Sequence, residues 1–348
     1  MFRIQNKTIS LSTKPFIIAE MSGNHNCSLD RAMEIVKAAS ESGADALKLQ
    51  TYTPDSLTID QKGGLFDVQE SNSLWYGRNL YELYKEAQTP YEWHKPLFDY
   101  AKKLGIIIFS TPFDEGGIKM LEELGVPVYK IASFENNHYP LLKKIAQTGK
   151  PVIMSTGVSD LENLAGAVNT LRLNSNTELA LLKCTSTYPS SPENTNLRTI
   201  PHMRELFKCE VGLSDHTMGI GTAVAATSLG ATIIEKHFCL SRSDGGVDSA
   251  FSLEPAEMKA LVKETERAWQ SLGEIQYGIQ EAELKNLNYK RSIYIIKDMI
   301  AGEAFTEENI GIIRPGDGIH PKHYGRLIGK NSKRDMKRGT PFNFEMLL

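Results

Sequence analysis

Two hydrophobic periods alternate along most of this chain. Short runs of β-branched and apolar residues are separated by longer segments in which apolar residues recur with helical spacing. The short runs predict eight strands, at Phe16–Met21, Ala46–Tyr52, Ile106–Pro112, Val128–Ser133, Pro151–Thr156, Leu179–Ser186, Val211–His216 and Thr232–Phe238. The longer segments predict helices that include Leu29–Ser42, Glu92–Leu104, Gly117–Leu124, Leu161–Leu173, Ala223–Leu229 and Pro255–Leu272.

Eight strand–helix units in this order predict an α/β fold of the (β/α)8 TIM-barrel type over residues 1–273. A doubly wound open sheet is the alternative, and a glycine-rich phosphate turn would normally follow its first strand. The segment after the first strand here reads EMSGNHN, which is not such a turn. The barrel is therefore the favoured fold.

The connection between the second and third strands is unusually long, from Thr53 to Pro90. A long insertion at this point of a barrel usually covers an active site or lacks order. Aromatic residues indicate an ordered segment that packs on the barrel or contacts a ligand. They are Phe66, Trp75, Tyr76, Tyr81 and Tyr84.

The character of the chain changes after Gly273. Residues 274–288 are polar and predict a linker, and residues 289–348 are basic, with short apolar runs punctuated by Gly and Pro. This pattern predicts a small, irregular, β-rich domain. A domain of about 60 residues has a marginal core, so we expect it to dock on the barrel or on a second subunit.

Composition narrows the class of protein. Lys and Arg number 39 against 42 Asp and Glu, which gives a net charge of −3 and predicts neither nucleic-acid nor polybasic membrane binding. We find no secretory signal and no apolar run near the ~20 residues of a membrane span, so we expect a cytoplasmic protein. The four cysteines form no CxxC pair and are expected to be reduced thiols.

Polar residues end every predicted strand. Catalysis in TIM barrels occurs at this rim, and unpaired buried polar groups cost free energy. Any single Ser or Thr can be structural, but packing alone does not explain the whole ring. The ring comprises Glu20, Asn24, His25, Lys48, Gln50, Ser110, Thr111, Lys130, Ser133, Glu135, Ser155, Thr156, Lys183, Thr185, Ser186, Tyr188, Ser214, Asp215, His216, Glu235, Lys236 and His237.

Two lysines and several hydroxyls of this ring suit a small anion with phosphate or carboxylate groups, such as phosphoenolpyruvate. The lysines are Lys48 and Lys130. Glu20 and Glu135 also lie on the rim. Among lysines we expect both carboxylates to stay ionised, and to position a hydroxyl or transfer a proton.

His216 and His237 end adjacent strands, so their side chains are expected to meet over the barrel mouth. Two imidazoles are ligands for Mn, Co and Fe-type ions and leave coordination positions open for water or substrate. Paired core histidines or acid–base histidines are the alternative.

Seven motifs in this order resemble the sialic acid synthase family. They are Ile17-Ile18-Ala19-Glu20 with Gly23-Asn24-His25, Lys48-Leu49-Gln50, Ser110-Thr111-Pro112-Phe113-Asp114, Tyr129-Lys130-Ile131-Ala132-Ser133, Met154-Ser155-Thr156-Gly157, Gly212-Leu213-Ser214-Asp215-His216-Thr217 and Glu235-Lys236-His237-Phe238. The segment Arg314-Pro315-Gly316-Asp317-Gly318-Ile319 is similar to the antifreeze-like (SAF) domain that closes these synthases.

The resemblance implies a homodimer in which the C-terminal domain of one chain caps the barrel of the other, so that Arg314 reaches the partner's sugar site. It implies that His216 and His237 bind a divalent metal, manganese, with magnesium or cobalt as alternatives. It places Glu20, Glu135, Lys48 and Lys130 in the catalytic set. The implied substrate-binding set for phosphoenolpyruvate and an open-chain acetamido sugar is Gln50, Thr111, Ser133, Ser155, Ser186, Tyr188, Ser214, Asp248 and Arg314.

The sugar is suggested by departures from the N-acetylneuraminate branch. Where that branch resembles Cys-Thr-Asn-x-Tyr-Pro, this chain has Ser186, which therefore faces either the phosphate or the sugar. Trp75-Tyr76-Gly77 and Gly245-Gly246-Val247-Asp248 look like the pseudaminic acid synthase branch. The implied sugar is 2,4-diacetamido-2,4,6-trideoxy-L-altrose, whose methyl group aromatic rings can cover without stranding hydroxyls.

Other functions stay open. N-acetylneuraminate or legionaminate synthesis would use the same chemistry on another sugar. A 3-deoxy-sugar-phosphate synthase would need a second basic cluster, and we find none in the sequence. A carbohydrate- or ice-binding protein is the alternative from another class. Ice binding needs a sparsely charged face, and the segment Lys330–Arg338 is highly charged.

Overall fold

The computed structural model describes residues 2–174 and 178–348. The chain divides into two compact units, Met1–Gly273 and Glu274–Leu348. The first unit opens with an antiparallel hairpin of β1 (Phe2–Ile4) and β2 (Lys7–Ile9). This hairpin is not predicted from the sequence, because three-residue strands are too short to show a clear alternation.

Eight parallel strands form a closed barrel in the first unit, which confirms the predicted TIM-barrel fold. The last strand pairs with the first and closes the ring. All eight predicted strands are present: β3 (Phe16–Glu20), β4 (Ala46–Thr51), β5 (Ile107–Pro112), β6 (Tyr129–Ile131), β7 (Val152–Ser155), β8 (Leu179–Cys184), β9 (Glu210–Asp215) and β10 (Ile233–His237).

Some observed strands end earlier than predicted. Strand β6 stops at Ile131, and Ser133 begins a 3-10 helix, Ser133–Glu135. Strand β8 stops at Cys184, so Ser186 lies in the following loop. These polar residues lie beyond the strand ladder, where their side chains can turn toward the rim.

Helices surround the barrel and bury its outer face. The described helices of this unit are α1 (Leu29–Glu41), α2 (Pro54–Leu57), α3 (Leu80–Ala87), α4 (Tyr91–Leu104), α5 (Glu115–Glu123), α6 (Tyr139–Gln147), α7 (Leu161–Asn174), α8 (Thr199–Phe207), α9 (Gly221–Ser228) and α10 (Pro255–Leu272). Capping residues determine where these helices begin and end. Ser28 caps α1 by accepting from the Arg31 amide, and Gly105 ends α4 in the left-handed region.

The register of the strands determines which rim side chains meet. Glu20 on β3 stands opposite Lys48 on β4 and opposite His237 on β10. Ser214 on β9 stands opposite Glu235 on β10. Because successive side chains of a strand point to opposite faces, these residues share the inner face near the barrel mouth.

The second unit contains β11 (Ser292–Ile295) and β12 (Ile310–Ile313), which pair antiparallel, and α11 (Tyr324–Leu327). A 3-10 helix, Glu281–Tyr289, occupies much of the segment for which we predicted a linker. The unit has its own apolar core, formed by Ile293, Ile295, Met299, Phe305, Ile310, Leu327, Met336, Phe342 and Met346. Among the described residues of both units, no helix is long and apolar enough to span a membrane.

Candidate active site

Two buried lysines lie at the barrel mouth, each beside a buried glutamate. Lys48 Nζ is 2.7 Å from Glu20 Oε2, and Lys130 Nζ is 3.5 Å from Glu235 Oε1. Both lysines are predicted from the sequence as anion ligands at this rim. The carboxylate beside each lysine is not predicted, and Glu235 is given no role there. The sequence nevertheless places Glu235 directly before Lys236 and His237, at the end of the eighth predicted strand.

The neighbouring charges balance one another. Burial alone would lower the pKa of Lys48, but Glu20 and Glu235 raise it above its ordinary value. Burial would raise the pKa of Glu235, but Lys130 and Lys48 hold it below its ordinary value. The pKa of Lys130 is lowered, mainly by burial. Lys48 is therefore the ammonium group most firmly held in its charged form.

Hydroxyl groups bond directly to these charges. Ser155 Oγ accepts from Lys130 Nζ at 2.7 Å, and Thr111 Oγ1 accepts from Lys48 Nζ at 3.4 Å. Ser214 Oγ donates to Glu235 Oε1 at 3.2 Å. Three of the predicted substrate-binding hydroxyls thus lie within the same cluster as the lysines.

Ser133 and Ser186 converge on Gly157. The Gly157 amide donates to Ser133 Oγ at 3.1 Å. A Cβ added to Gly157 would lie 2.2 Å from Ser186 Oγ and 2.8 Å from Ser133 Oγ. Glycine at this position therefore lets both hydroxyls approach the backbone of the loop after β7.

A hydrogen-bonded chain runs from the first barrel strand to the loop after the last. Gln50 Nε2 donates to Glu20 Oε1 at 2.8 Å and to Ser22 Oγ at 3.0 Å. Ser22 Oγ in turn donates to Asp248. This hydrogen-bonded chain joins three predicted site residues, Glu20, Gln50 and Asp248, through Ser22, which is not among the residues predicted from the sequence.

Burial raises the pKa of three site carboxylates, Glu20, Glu135 and Asp248, although nearby positive charges act to lower it. Burial raises the pKa of Glu135 to about 7, although Lys130 and Lys48 act to lower it. Among the described residues, no hydrogen-bond donor meets its buried Oε2. The expectation that this carboxylate stays fully ionised is therefore wrong, because desolvation outweighs the attraction of the lysines.

The two predicted metal ligands lie side by side. The ring centroids of His216 and His237 are 5.3 Å apart. His216 Nδ1 lies 3.1 Å from the Thr185 carbonyl oxygen, to which it donates, so Nε2 is the ring nitrogen available to a ligand once the ring is neutral. Burial acts to lower the pKa of His216, but Cys184 and the Thr185 carbonyl raise it above its ordinary value. Burial, followed by the charges of His216 and Lys48, lowers the pKa of His237 well below its ordinary value, so this ring is neutral.

These properties fit a pair of imidazole ligands. His237 Nδ1 is buried and has no hydrogen-bond partner in the described part of the chain, and it lies 3.7 Å from Asp248 Oδ2. Within that same part, no three His, Cys, Asp or Glu side chains form a cage for a metal ion. The pair would therefore leave further coordination positions to water or substrate.

Aromatic rings border the histidines. The Tyr188 ring lies 4.5 Å from His216 and 5.4 Å from Phe251, measured between centroids. From the long connection, Trp75 reaches 5.7 Å from Tyr188 and donates its indole N–H to the Val247 carbonyl at 2.9 Å. This part of the connection is ordered and meets the rim, whereas Tyr76 is exposed.

Three rim residues of the barrel bond to groups outside the lysine cluster. Asn24 donates to the Phe238 carbonyl, and Ser110 bonds to Thr51. Lys183 donates to the Cys184 carbonyl. Arg314 belongs to the second unit, where it is exposed next to a loop held by Ser292 Oγ. All four cysteines are free thiols, as expected.

Comparison with known proteins decides the family. Residues 35–277 match the NeuB family, and residues 290–348 match the SAF domain. This chain belongs to the NeuB family. The resemblance inferred from the rim motifs is thereby confirmed.

Individual relatives of this NeuB-family chain are similar over nearly its whole length. It is 45% identical to the pseudaminic acid synthase of Campylobacter jejuni over 94% of each chain. It is 44% identical to the pseudaminic acid synthase of Helicobacter pylori, over 94% of this chain and 96% of the relative. It is 37% identical to the N,N'-diacetyllegionaminic acid synthase of Legionella pneumophila, over 95% of this chain and 94% of the relative.

Solved structures agree with this placement. The N-acetylneuraminic acid synthetase of Leptospira borgpetersenii superimposes with a TM-score of 0.73 at 31% identity, covering 83% of this NeuB-family chain and 95% of that chain. A truncated 3-deoxy-D-arabino-heptulosonate 7-phosphate synthase from Thermotoga maritima gives a TM-score of 0.58 at 18% identity, over 78% of this chain and 92% of that one. The second likeness concerns the fold alone.

Proposed function

We propose that this chain is a pseudaminic acid synthase. It condenses phosphoenolpyruvate with 2,4-diacetamido-2,4,6-trideoxy-L-altrose and releases phosphate by C–O cleavage. The observation that carries the proposal is the 45% identity to a pseudaminic acid synthase over 94% of both chains. The paired lysines, hydroxyls and histidines at the barrel mouth supply groups suited to that chemistry.

The reaction forms one carbon–carbon bond and breaks one carbon–oxygen bond. Carbon 3 of phosphoenolpyruvate attacks the sugar aldehyde, and a water oxygen adds to carbon 2. The resulting tetrahedral centre expels inorganic phosphate and becomes a ketone. Lys48 and Lys130 bind the anionic groups of phosphoenolpyruvate, and rim hydroxyls donate to its oxygens. Those hydroxyls are Thr111, Ser133, Ser155, Ser186 and Ser214.

Glu135 is the better candidate for taking the proton from the attacking water. A base is most effective when its pKa lies near the working pH, and the pKa of Glu135 is raised to about 7. Glu20 is held by Lys48 at 2.7 Å and by Gln50 at 2.8 Å. We therefore assign Glu20 to orienting the sugar and holding Lys48, and Glu135 to proton transfer.

His216 and His237 would hold a divalent cation, with manganese as the first choice and magnesium or cobalt as alternatives. When bound, such an ion supplies a Lewis acid that polarises the aldehyde oxygen of the sugar. Asp248 stands 3.7 Å from His237 Nδ1, too far for a hydrogen bond but near enough for its carboxylate to attract a bound cation.

The sugar would lie between the hydrogen-bonded chain and the aromatic rings. Gln50, Tyr188 and Asp248 offer polar contacts, and Trp75 and Phe251 offer apolar cover for a methyl group. The alternative is legionaminate or N-acetylneuraminate synthesis by the same chemistry. The 37% identity to a legionaminic acid synthase supports this alternative less strongly than the 45% identity supports the proposal.

A phosphate-release assay tests this proposal directly. The manganese-loaded protein would receive phosphoenolpyruvate with each of three sugars in turn: the 6-deoxy-diacetamido-altrose, N-acetylmannosamine and the legionaminic acid precursor. We expect release with the altrose alone. Preference for another sugar would move the chain to another branch. No release with any of the three would reject the synthase function.

We further propose a cytoplasmic, domain-swapped homodimer in which Arg314 completes the partner's sugar site. The family resemblance and the exposure of Arg314 support this arrangement. Co-expression of Lys48→Ala with Arg314→Ala tests it. In a swapped dimer, mixed pairs contain one intact site, so about a quarter of wild-type activity returns. Without swapping, every site carries a defect, and the mixture stays as inactive as either variant.

A further inference from the structure

A buried ion pair lies behind the two candidate metal ligands. Asp215 precedes His216 at the end of β9, and Lys236 precedes His237 on β10. The two strands pair Ser214 with Glu235 and Asp215 with Lys236. Because side chains alternate along a strand, Asp215 and Lys236 point away from the face that carries the histidines.

This ion pair also forms hydrogen bonds with Thr217, the residue that follows His216. Lys236 Nζ lies 2.9 Å from Asp215 Oδ2, and the side chains are 1% and 0% exposed. The amide and hydroxyl of Thr217 donate to Asp215 Oδ1 at 2.9 and 2.8 Å, and Lys236 Nζ donates to the Thr217 carbonyl. We name Asp215, Thr217 and Lys236 the outer clasp. It fixes the backbone on both sides of His216.

Stability alone is a weak explanation for the clasp. Removing two charges from water is costly, and well-packed apolar residues in place of a buried ion pair are often neutral or stabilising. The bonds of the clasp are directional, however, and apolar residues would not reproduce them. They connect the turn after β9 to β10 at the paired residues Asp215 and Lys236. This pair lies between the Ser214–Glu235 pair and the two histidines.

We propose that the outer clasp is a positioning device that sets the separation of His216 and His237 and so the affinity of the site for a divalent cation. This inference rests on the proposed role of the two histidines as metal ligands. Because Asp215 and Lys236 point away from the face that carries the histidines, the clasp would contact neither substrate nor metal. It acts through the backbone that carries His216 and through the strand that carries His237.

Manganese binding by the full-length, metal-free protein tests the proposal without any turnover. Free Mn²⁺ would be titrated by electron paramagnetic resonance, and the melting temperature of each variant would be recorded. Asp215→Asn should weaken binding by roughly ten- to a hundred-fold, the usual effect of disturbing groups that orient metal ligands. Thr217→Val keeps the ion pair and should lose less.

A double variant separates positioning from the burial of an unpaired charge. Asp215→Asn with Lys236→Met leaves no orphan charge, so it should melt at or above the wild-type temperature and still bind Mn²⁺ weakly. The matched control is Glu210→Gln at the opposite end of β9, which loses the 3.1 Å ion pair with Arg204. Its Mn²⁺ affinity should equal that of the wild type.

The outcomes separate this inference from the proposed function. A folded double variant, or a folded Asp215→Asn, with wild-type affinity would overturn the role of the clasp and leave the metal site intact. A wild-type protein that binds no Mn²⁺ would reject the metal site and the clasp together. Equal losses in Glu210→Gln and Asp215→Asn would show that β9 responds to any lost ion pair, which also overturns the proposal.

Discussion

The mouth of the barrel and the core of the second unit bury opposite kinds of side chain. The mouth buries Glu20, Lys48, Lys130 and Glu235, whereas the core of the second unit is built from residues such as Phe305 and Phe342. Burying apolar area stabilises a fold, and burying charge costs free energy even in pairs. The apolar core of the second unit stabilises the fold. The buried charges at the barrel mouth cost stability, but they lie where a substrate can contact them.

Lys48→Met should produce the largest effect on catalysis. Because it leaves buried Glu20 without its charged partner, the melting temperature of the variant would be recorded as well. Removing this ammonium takes away the firmest positive charge at the mouth, so kcat/KM for phosphoenolpyruvate should fall about a thousand-fold. Steady-state kinetics would measure the loss. Lys7→Met is the control, because the ion pair of Lys7 with Asp45 lies away from the mouth and is half-exposed. A Lys48→Met enzyme with a tenth of wild-type activity would contradict the proposed role.

Phe342→Ala should show the reverse pattern in the second unit. Phe342 is 1% exposed and meets Phe305 edge-to-face with centroids 5.1 Å apart. Its truncation should cost about 3–5 kcal/mol of unfolding free energy, measured by urea denaturation. Phe344→Ala is the control, because Phe344 is 51% exposed and its loss should cost under about 0.5 kcal/mol. Equal losses of unfolding free energy in the two variants would mean that this core contributes little to stability.

Glu135→Gln should slow the reaction by about a hundred-fold and remove a pH dependence. The pKa of Glu135 is about 7, in surroundings that include Lys130, Lys48 and Tyr84. A base must be ionised, so wild-type kcat/KM should rise with pH through about 7 and then level off. The variant should lose that rise. A pH profile unchanged by the substitution would transfer the proton role to another group.

The same residue links pH to stability. A carboxyl whose pKa is raised on folding, here from 4.5 to about 7, favours the folded state when protonated. That contribution is complete below pH 4.5 and is lost as the pH rises through about 7. Glutamine imitates the protonated form. The melting temperature of Glu135→Gln should therefore exceed that of the wild type at pH 8 and equal it at pH 4.

Trp75→Phe should give the smallest effect and test the aromatic edge of the mouth. Phenylalanine keeps a ring near Tyr188 but loses the 2.9 Å bond to the Val247 carbonyl. One such hydrogen bond contributes about 1 kcal/mol, so KM for the sugar should rise about five-fold while KM for phosphoenolpyruvate stays constant. Tyr76→Phe serves as the exposed neighbour for comparison. A rise in both KM values would assign Trp75 a general role.

The barrel could be predicted from the sequence because each strand carries its own local pattern. The meeting of His216 and His237 followed from their places on adjacent strands. The ion pairs of Lys48 with Glu20 and Lys130 with Glu235 could not be predicted in the same way. They depend on ring closure and on the register between strands, which a one-dimensional pattern does not contain.

Gly157 has a consequence for engineering substrate range. A side chain at this position would collide with the hydroxyls of Ser133 and Ser186, whose Oγ atoms stand 2.8 and 2.2 Å from the missing Cβ. In a randomised library, position 157 should therefore return glycine whichever sugar is selected. Exposed positions of the connection between residues 53 and 90, such as Tyr76, should accept diverse replacements. New specificities should accordingly arise from that connection while the loop after β7 stays unchanged.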